Sequence, residues 1–81
     1  MTFNDLRARL ISNLRLRVRS GEVTERSLAR LTGVSQPHLH HVLSGKRKLS
    51  LEMADLILRR LDMSVLDLFS AEELRERRPH R

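Results

Sequence analysis

The side chains best suited to specific chemistry are concentrated in one short stretch in the middle of the chain. It begins with Gln36, continues through His38, His40 and His41, and ends with the basic run 46–48. A glutamine amide donates and accepts hydrogen bonds at once, an imidazole can donate, accept, titrate or bind a metal, and the basic run attracts anions. The stretch could therefore serve catalysis, a metal ion or a polyanionic ligand.

Metal binding and catalysis lack the other groups that they need. His38 and His41 are three positions apart and would share a helical face, but two imidazoles leave a zinc site without its third and fourth ligands. The chain has no cysteine, no glycine-rich phosphate loop, and no acid near the histidine cluster to orient a general base. We therefore expect no metal, no cofactor and no enzymatic activity.

The distribution of charge favours a polyanionic ligand. The chain has 16 lysines and arginines against 10 acidic residues, a formal net charge of +6. Residues 26–51 contain no carboxylate, and the basic side chains in this window are Arg26, Arg30, Lys46, Arg47 and Lys48. Such a window keeps one surface free of charges that would repel phosphate.

Length and composition indicate one small intracellular domain. Of the 81 residues, 40% are hydrophobic but only 2% are aromatic, so the core must be aliphatic. No run approaches the roughly 20 apolar residues of a membrane span, and arginines interrupt the first segment where a signal peptide needs an apolar core. We expect a soluble, cytoplasmic protein.

Helix caps and apolar spacing predict an all-α fold of five helices with a possible short sixth. The predicted caps are Thr2, Thr24, Ser35, Ser50 and Ser64, and Ser70 with Glu73 would cap the sixth. The apolar positions assigned to helical stripes are Phe3, Leu6, Leu10, Leu14, Val18, Leu28, Ala29, Leu31, Leu39, Val42, Leu43, Ala54, Ile57, Leu58, Leu61, Val65, Leu66, Leu68 and Phe69. The nearly all-charged residues 75–81 are expected to fray into a tail.

A sharp corner is predicted between the second and third helices, which only three residues separate. Gly33 can adopt the positive φ that such a corner needs, and the small Ala29 permits close approach of the two helices. The third helix would bury Leu39 and Val42 and leave its opposite face exposed. That exposed face is the candidate for reading a ligand.

The segment Thr24 to Gln36, with the sequence TERSLARLTGVSQ, is followed by VLSGKR at residues 42–47. Over Thr24 to Phe69 the chain resembles the Cro and lambda-repressor-like (XRE) helix-turn-helix family, in which the Leu-Ala pair, the Gly-Val-Ser turn, the Gly-Lys loop and a later Leu-x-x-Ser-Val stretch recur in this order. The resemblance implies a compact five-helix DNA-binding domain over residues 1–70, with the helix-turn-helix proper at 25–44. In that family the third helix enters the major groove of double-stranded DNA, commonly in a dimer on a palindromic site.

Carried onto this sequence, the resemblance places Gln36, Pro37, His40 and His41 toward the bases. Gln36 can pair bidentately with adenine, Pro37 can touch a thymine methyl, and His40 and His41 could donate to guanine or phosphate. The residues assigned to the DNA backbone are Arg26, Ser27, Ser35, His38, Ser44, Lys46, Arg47 and Lys48. Such contacts supply affinity and register but no sequence information.

The chain departs from the family pattern at three places. Glu25 stands where a glutamine often contacts phosphate, and its charge suits the helix dipole but opposes a phosphate, so we assign it no DNA contact. Leu43 and Ser44 replace the usual Glu-Asn before the loop glycine, and Asp62 replaces a glycine after the fourth helix.

The leading interpretation is a sequence-specific, double-stranded DNA-binding transcriptional regulator, a repressor that is dimeric on DNA and associated with the nucleoid. Two alternatives stay open. The chain could be the antitoxin of a toxin-antitoxin pair, with the charged segment 71–81 contacting the toxin, or a protein-interaction module that has lost DNA binding. Leu66, Phe69 and Leu74 are expected to close the core, with a dimer seam as the second interpretation.

Overall fold

The first helix, α1, spans Phe3–Arg19 in the computed structural model, which describes residues 1–76. Thr2 and Asp5 cap it reciprocally. The Asp5 backbone N–H donates to the Thr2 hydroxyl at 3.1 Å, and the Asp5 carboxylate accepts from the Thr2 backbone N–H at 2.9 Å. The helix ends before Gly21, whose φ is 84°. The predicted start and end of this helix are therefore confirmed.

Helices α2, Glu25–Thr32, and α3, Gln36–Leu43, meet at a sharp corner. Gly33 adopts the left-handed conformation there, with a φ of 76°. The Thr32 hydroxyl donates to a carbonyl of the preceding turn at 2.8 Å and accepts from the Val34 N–H at 3.3 Å. Thr32 is buried, and these bonds satisfy it without a partner from elsewhere in the protein.

Helix α4 spans Leu51–Arg60, a 3-10 helix spans Val65–Leu68, and α5 spans Ala71–Glu76. The connection after α4 contains Asp62, a non-glycine residue with a positive φ, 55°, at the position predicted to end that helix. The part of the chain that the structure describes is thus all-helical, as predicted. No helix within residues 1–76 is long and apolar enough to cross a bilayer.

The core is aliphatic and lies between α1, α2, α3 and α4. Its buried side chains are Leu10, Leu14, Leu28, Leu39, Val42, Leu43, Leu49 and Ile57. Each leucine or isoleucine buried there contributes about 1.5–3 kcal/mol relative to an exposed position. The Arg7 guanidinium donates to the Leu49 carbonyl at 2.9 Å, which attaches α1 to the segment that follows the basic run.

Four residues assigned to apolar stripes are exposed, namely Phe3, Leu31, Val65 and Leu66. Phe3 is the first residue of α1 and is 66% exposed, at the end of the helix beyond the buried turns around Leu10 and Leu14. On α2, the buried line runs through Leu28 and Thr32, four residues apart, so Leu31 lies at its edge.

The predicted fifth helix is a single 3-10 turn. Its Ser64–Asp67 capping box forms as expected, but Ser70 already caps α5 and Phe69 is extended, with φ −107° and ψ 146°, which leaves room for one turn only. The expectation that Leu66 and Leu74 close the core is wrong, because they are 61% and 39% exposed. α5 continues the chain to Glu76, and the rest of the predicted tail lies outside the described residues.

Candidate nucleic-acid interface

Burial divides α3 into two faces. Leu39, Val42 and Leu43 are buried in the core. Gln36, Pro37 and His40 are exposed on the other side, with half-buried His38 and His41 at its edges. We call these five residues the polar face of α3.

The corner residues explain why this face points away from the protein. Because Gly33 reverses the chain, α3 crosses α2 with its apolar side inward. Ser35 then starts α3 by accepting a hydrogen bond from the His38 backbone N–H at 3.3 Å. Pro37 lies in the first turn, where its missing N–H leaves no helical bond unmade.

The basic loop, residues 46–48, leaves the C-terminal end of α3. Gly45 has a φ of 87°, and the backbone N–H groups of Lys46 and Arg47 both donate to the His41 carbonyl, at 2.9 and 3.1 Å. All three basic side chains are exposed, and within residues 1–76 none of them forms an ion pair. Their charge is therefore available to an external anion.

The other residues assigned to the DNA backbone differ in how much hydrogen-bonding capacity they keep. Arg26 is exposed on α2. Ser27 belongs to the capping box of α2, where its hydroxyl donates to the Thr24 carbonyl at 2.9 Å. The Ser44 hydroxyl donates to the His41 carbonyl at 3.2 Å, whereas Ser35 uses its hydroxyl as an acceptor and keeps its proton. Arg26 and Ser35 thus have more capacity to donate outward than Ser27 and Ser44.

A carboxylate that the sequence does not place near the histidines contacts one of them. The Nδ1 atom of His40 lies 3.1 and 3.2 Å from the two carboxylate oxygens of Glu25. The expectation that no acid lies near the histidine cluster is therefore wrong. The two residues are fifteen positions apart, and only the corner brings the first residue of α2 beside the middle of α3.

The two adjacent histidines have different surroundings. Their rings are 6.1 Å apart in an edge-on arrangement. The Nδ1 atom of His41 is buried and has no hydrogen-bond partner within the described part of the chain. Within residues 1–76, no group of three or more histidine, cysteine or acidic side chains lies close enough to hold a metal ion.

An ion pair lies away from the polar face, between α1 and α5. Arg9 forms a two-pronged ion pair with Glu73, and its Nη1 atom donates to the Leu68 carbonyl at 3.2 Å. Hydrogen bonds from Arg9, and then from the Ser70 backbone N–H, lower the pKa of Glu73 from 4.5 to about 2. The same contact raises the pKa of Arg9. We call this contact the clasp.

Comparison with known proteins agrees with this architecture. A helix-turn-helix family model matches residues 14–68, more than half of the chain. No curated protein and no solved structure matches significantly. The chain belongs to the Cro and lambda-repressor-like (XRE) helix-turn-helix family, and its domain is of the DNA-binding type.

Proposed function

We propose that this protein is a sequence-specific, double-stranded DNA-binding transcriptional regulator, a repressor that reads the major groove with the polar face of α3. The observation that carries the proposal is the division of α3. Leu39, Val42 and Leu43 are buried, whereas Gln36, Pro37 and His40 are exposed beside a basic loop without ion pairs in the described residues.

The proposal gives the exposed side chains two different tasks. Gln36 is the first residue of α3, where its amide can pair bidentately with adenine, and Pro37, His40 and His41 complete the base-reading set. The backbone set is Arg26, Ser27, Ser35, His38, Ser44, Lys46, Arg47 and Lys48. Its lysines and arginines neutralise phosphates and supply affinity that does not depend on sequence.

Dimeric binding is part of the proposal, with the domain at 1–70 and the segment 71–81 as an appended contact region. Exposed apolar side chains on α1, α4 and the 3-10 helix, namely Phe3, Leu51 and Val65, line one depression and support an interface with another protein surface. If DNA binding is absent, the same surface favours the protein-interaction alternative. An antitoxin would use both the polar face of α3 and this apolar surface. The segment 71–81 is where we would look for toxin contact.

A random-site selection followed by titrations at several salt concentrations tests the DNA-binding proposal. Gln36→Ala should relax the preference at one position by about 1–3 kcal/mol while leaving nonspecific affinity unchanged. Lys46→Ala should weaken binding to all sequences alike and make the slope of log K against log salt shallower by about 0.9.

Arg60→Ala is the matched control for Lys46→Ala. It removes an exposed positive charge from the last residue of α4, about 14 Å along the helix axis from its first residue at 1.5 Å per residue. Its salt slope should match that of the unaltered protein. Equal effects of Gln36→Ala and Lys46→Ala on every sequence would refute the division of tasks, and binding that ignores salt would refute DNA binding through this surface.

A further inference from the structure

The pair formed by Glu25 and His40 restricts the chemistry of an exposed imidazole on the polar face. A carboxylate accepts hydrogen bonds but has no proton to give when ionised, so the contact requires the imidazole proton on Nδ1. A neutral imidazole carries only one N–H. Its other nitrogen, Nε2, therefore has a lone pair and can only accept.

Exposure and surroundings support a role for this pair at the surface. The side chain of Glu25 is 26% exposed and that of His40 is 60% exposed, so the carboxylate is the more enclosed partner. The pair lines a shallow depression with Arg15 and Arg19 of α1. The positive charges of Arg15 and Arg19 in the same depression offset the repulsion between Glu25 and a phosphate at this surface.

In the major groove, an acceptor discriminates between bases. Only adenine N6 and cytosine N4 offer donors there, whereas guanine N7 and O6 and thymine O4 are acceptors. A neutral His40 with its proton on Nδ1 pairs with an amino group and is repelled by the acceptors. This assignment differs from the sequence-based expectation that His40 could donate to guanine or to a phosphate.

We propose that Glu25 is a positioning residue that fixes the neutral form of His40 as a hydrogen-bond acceptor, so that the base facing a neutral His40 is selected for an amino group and is adenine or cytosine. The inference rests on the proposed function, because it assumes that α3 reads the major groove. Glu25 acts only through His40 and touches no base. Within the described residues no carboxylate pairs with the ring of His41, so His41 is not subject to this restriction.

A random-site selection at about pH 8, where an ordinary imidazole is neutral, tests the inference with four full-length proteins: the unaltered chain, His40→Ala, Glu25→Gln and Glu52→Gln. The unaltered protein should prefer adenine or cytosine at one position by about three- to tenfold, as expected for one hydrogen bond. His40→Ala should abolish that preference and thereby identify the position.

Glu25→Gln should weaken the same preference while leaving the other positions unchanged. A glutamine amide can donate to Nδ1 as well as accept from it, so the imidazole proton can move to Nε2. Glu52→Gln is the matched control, because it removes a negative charge from the first turn of α4 instead of α2. It should leave the base preferences of the unaltered protein unchanged.

A second measurement needs no DNA. Two-bond proton–nitrogen correlation spectra of the free protein at about pH 8 report which ring nitrogen of His40 carries the proton. The expected result is Nδ1–H in the unaltered protein and a shift toward Nε2–H in Glu25→Gln, with His41 unaffected. A predominant Nε2–H form of His40 in the unaltered protein would overturn the inference.

The selection separates failure of this inference from failure of the proposed function. An enriched site with guanine or thymine at the position that depends on His40 would overturn the inference alone. The same holds if His40→Ala or Glu25→Gln leaves every preference intact. If no site is enriched with the unaltered protein, the proposed function fails and the inference fails with it.

Discussion

The corner between α2 and α3 and the clasp between α1 and α5 are held together by different forces. At the corner, Leu28 and Leu39 are fully buried and Gly33 supplies the reversal of the chain. At the clasp, the guanidinium of Arg9 pairs with Glu73 and lies over the Phe69 ring, 5.3 Å from its centre. Both side chains of that ion pair remain about one-third exposed.

This difference shows that apolar burial can position a polar face. Because apolar burial and one backbone conformation hold the corner, the side chains on its outer surface stay available to a ligand, apart from the Nδ1 atom of His40, which pairs with Glu25. The clasp instead uses its polar groups for attachment, so its strength depends on their ionisation. A cavity in the core should therefore weaken the corner, and a change in pH should weaken the clasp.

Truncation of the buried Leu28 tests whether burial holds the corner, and we expect it to change the free energy of unfolding most. Leu28→Ala should lower the free energy of unfolding by about 2–5 kcal/mol, because it removes a fully buried side chain and leaves a cavity. Leu31→Ala, on the same helix but 45% exposed, should cost less than about 1 kcal/mol. Urea denaturation measures both, and similar losses for the two variants would contradict the comparison.

The next effect isolates the backbone conformation at the corner. Apart from Gly33 and its two chain neighbours, no heavy atom of residues 1–76 lies within 4 Å of a Cβ added to Gly33, so Gly33→Ala introduces strain at a φ of 76° but no collision. We expect a loss of about 1 kcal/mol, since the left-handed conformation costs about 1–2 kcal/mol and the stiffer unfolded chain offsets part of it.

Gly33→Asn sharpens this measurement, because asparagine tolerates the left-handed conformation better than alanine. It should retain more stability than Gly33→Ala in the same urea denaturation experiment. If the two variants are equally stable, conformational preference at position 33 is not what maintains the corner.

Most helix starts could be predicted from the sequence, because capping is a local interaction. Thr2 with Asp5 and Ser64 with Asp67 each act across three residues, and both capping boxes form as expected. The length of a helix after its cap depends on less local interactions. The chain after Ser64 has the composition of a helix but makes one 3-10 turn, because Ser70 starts the next helix too soon.

Contacts between residues far apart in the chain could not be predicted from residue types and spacing. The resemblance to the family assigned Gln36 and His40 to the exposed side of α3, but the contact between Glu25 and His40 depends on the angle at which α2 meets α3. The departure of Glu25 from the family pattern was the available signal. The prediction that Leu31 belongs to the buried stripe of α2 was wrong for a related reason. An apolar residue at helical spacing can lie at the edge of a buried stripe.

Glu73→Gln tests whether the clasp depends on charge, and we expect it to change stability least. The contacts of Glu73 with Arg9 and the Ser70 N–H lower its pKa from 4.5 to about 2. The ionised clasp therefore stabilises the fold fully at pH values above 4.5, the ordinary pKa of this carboxyl group. That contribution is lost as pH falls from 4.5 toward 2. Urea midpoints should therefore be lower for Glu73→Gln than for the unaltered protein at about pH 5, and the two should converge at about pH 2.

Other carboxylates also become protonated over this range, including Asp5, whose pKa is lowered by hydrogen bonds from Thr2. The other carboxylates contribute equally to both proteins, so their contribution cancels in the difference between the urea midpoints of Glu73→Gln and the unaltered protein. Glu76→Gln provides the matched control, because Glu76 is on the same helix, exposed, and has no ion pair within the described residues. Its curve should follow that of the unaltered protein, and parallel curves for all three proteins would mean that packing alone attaches α5 to α1.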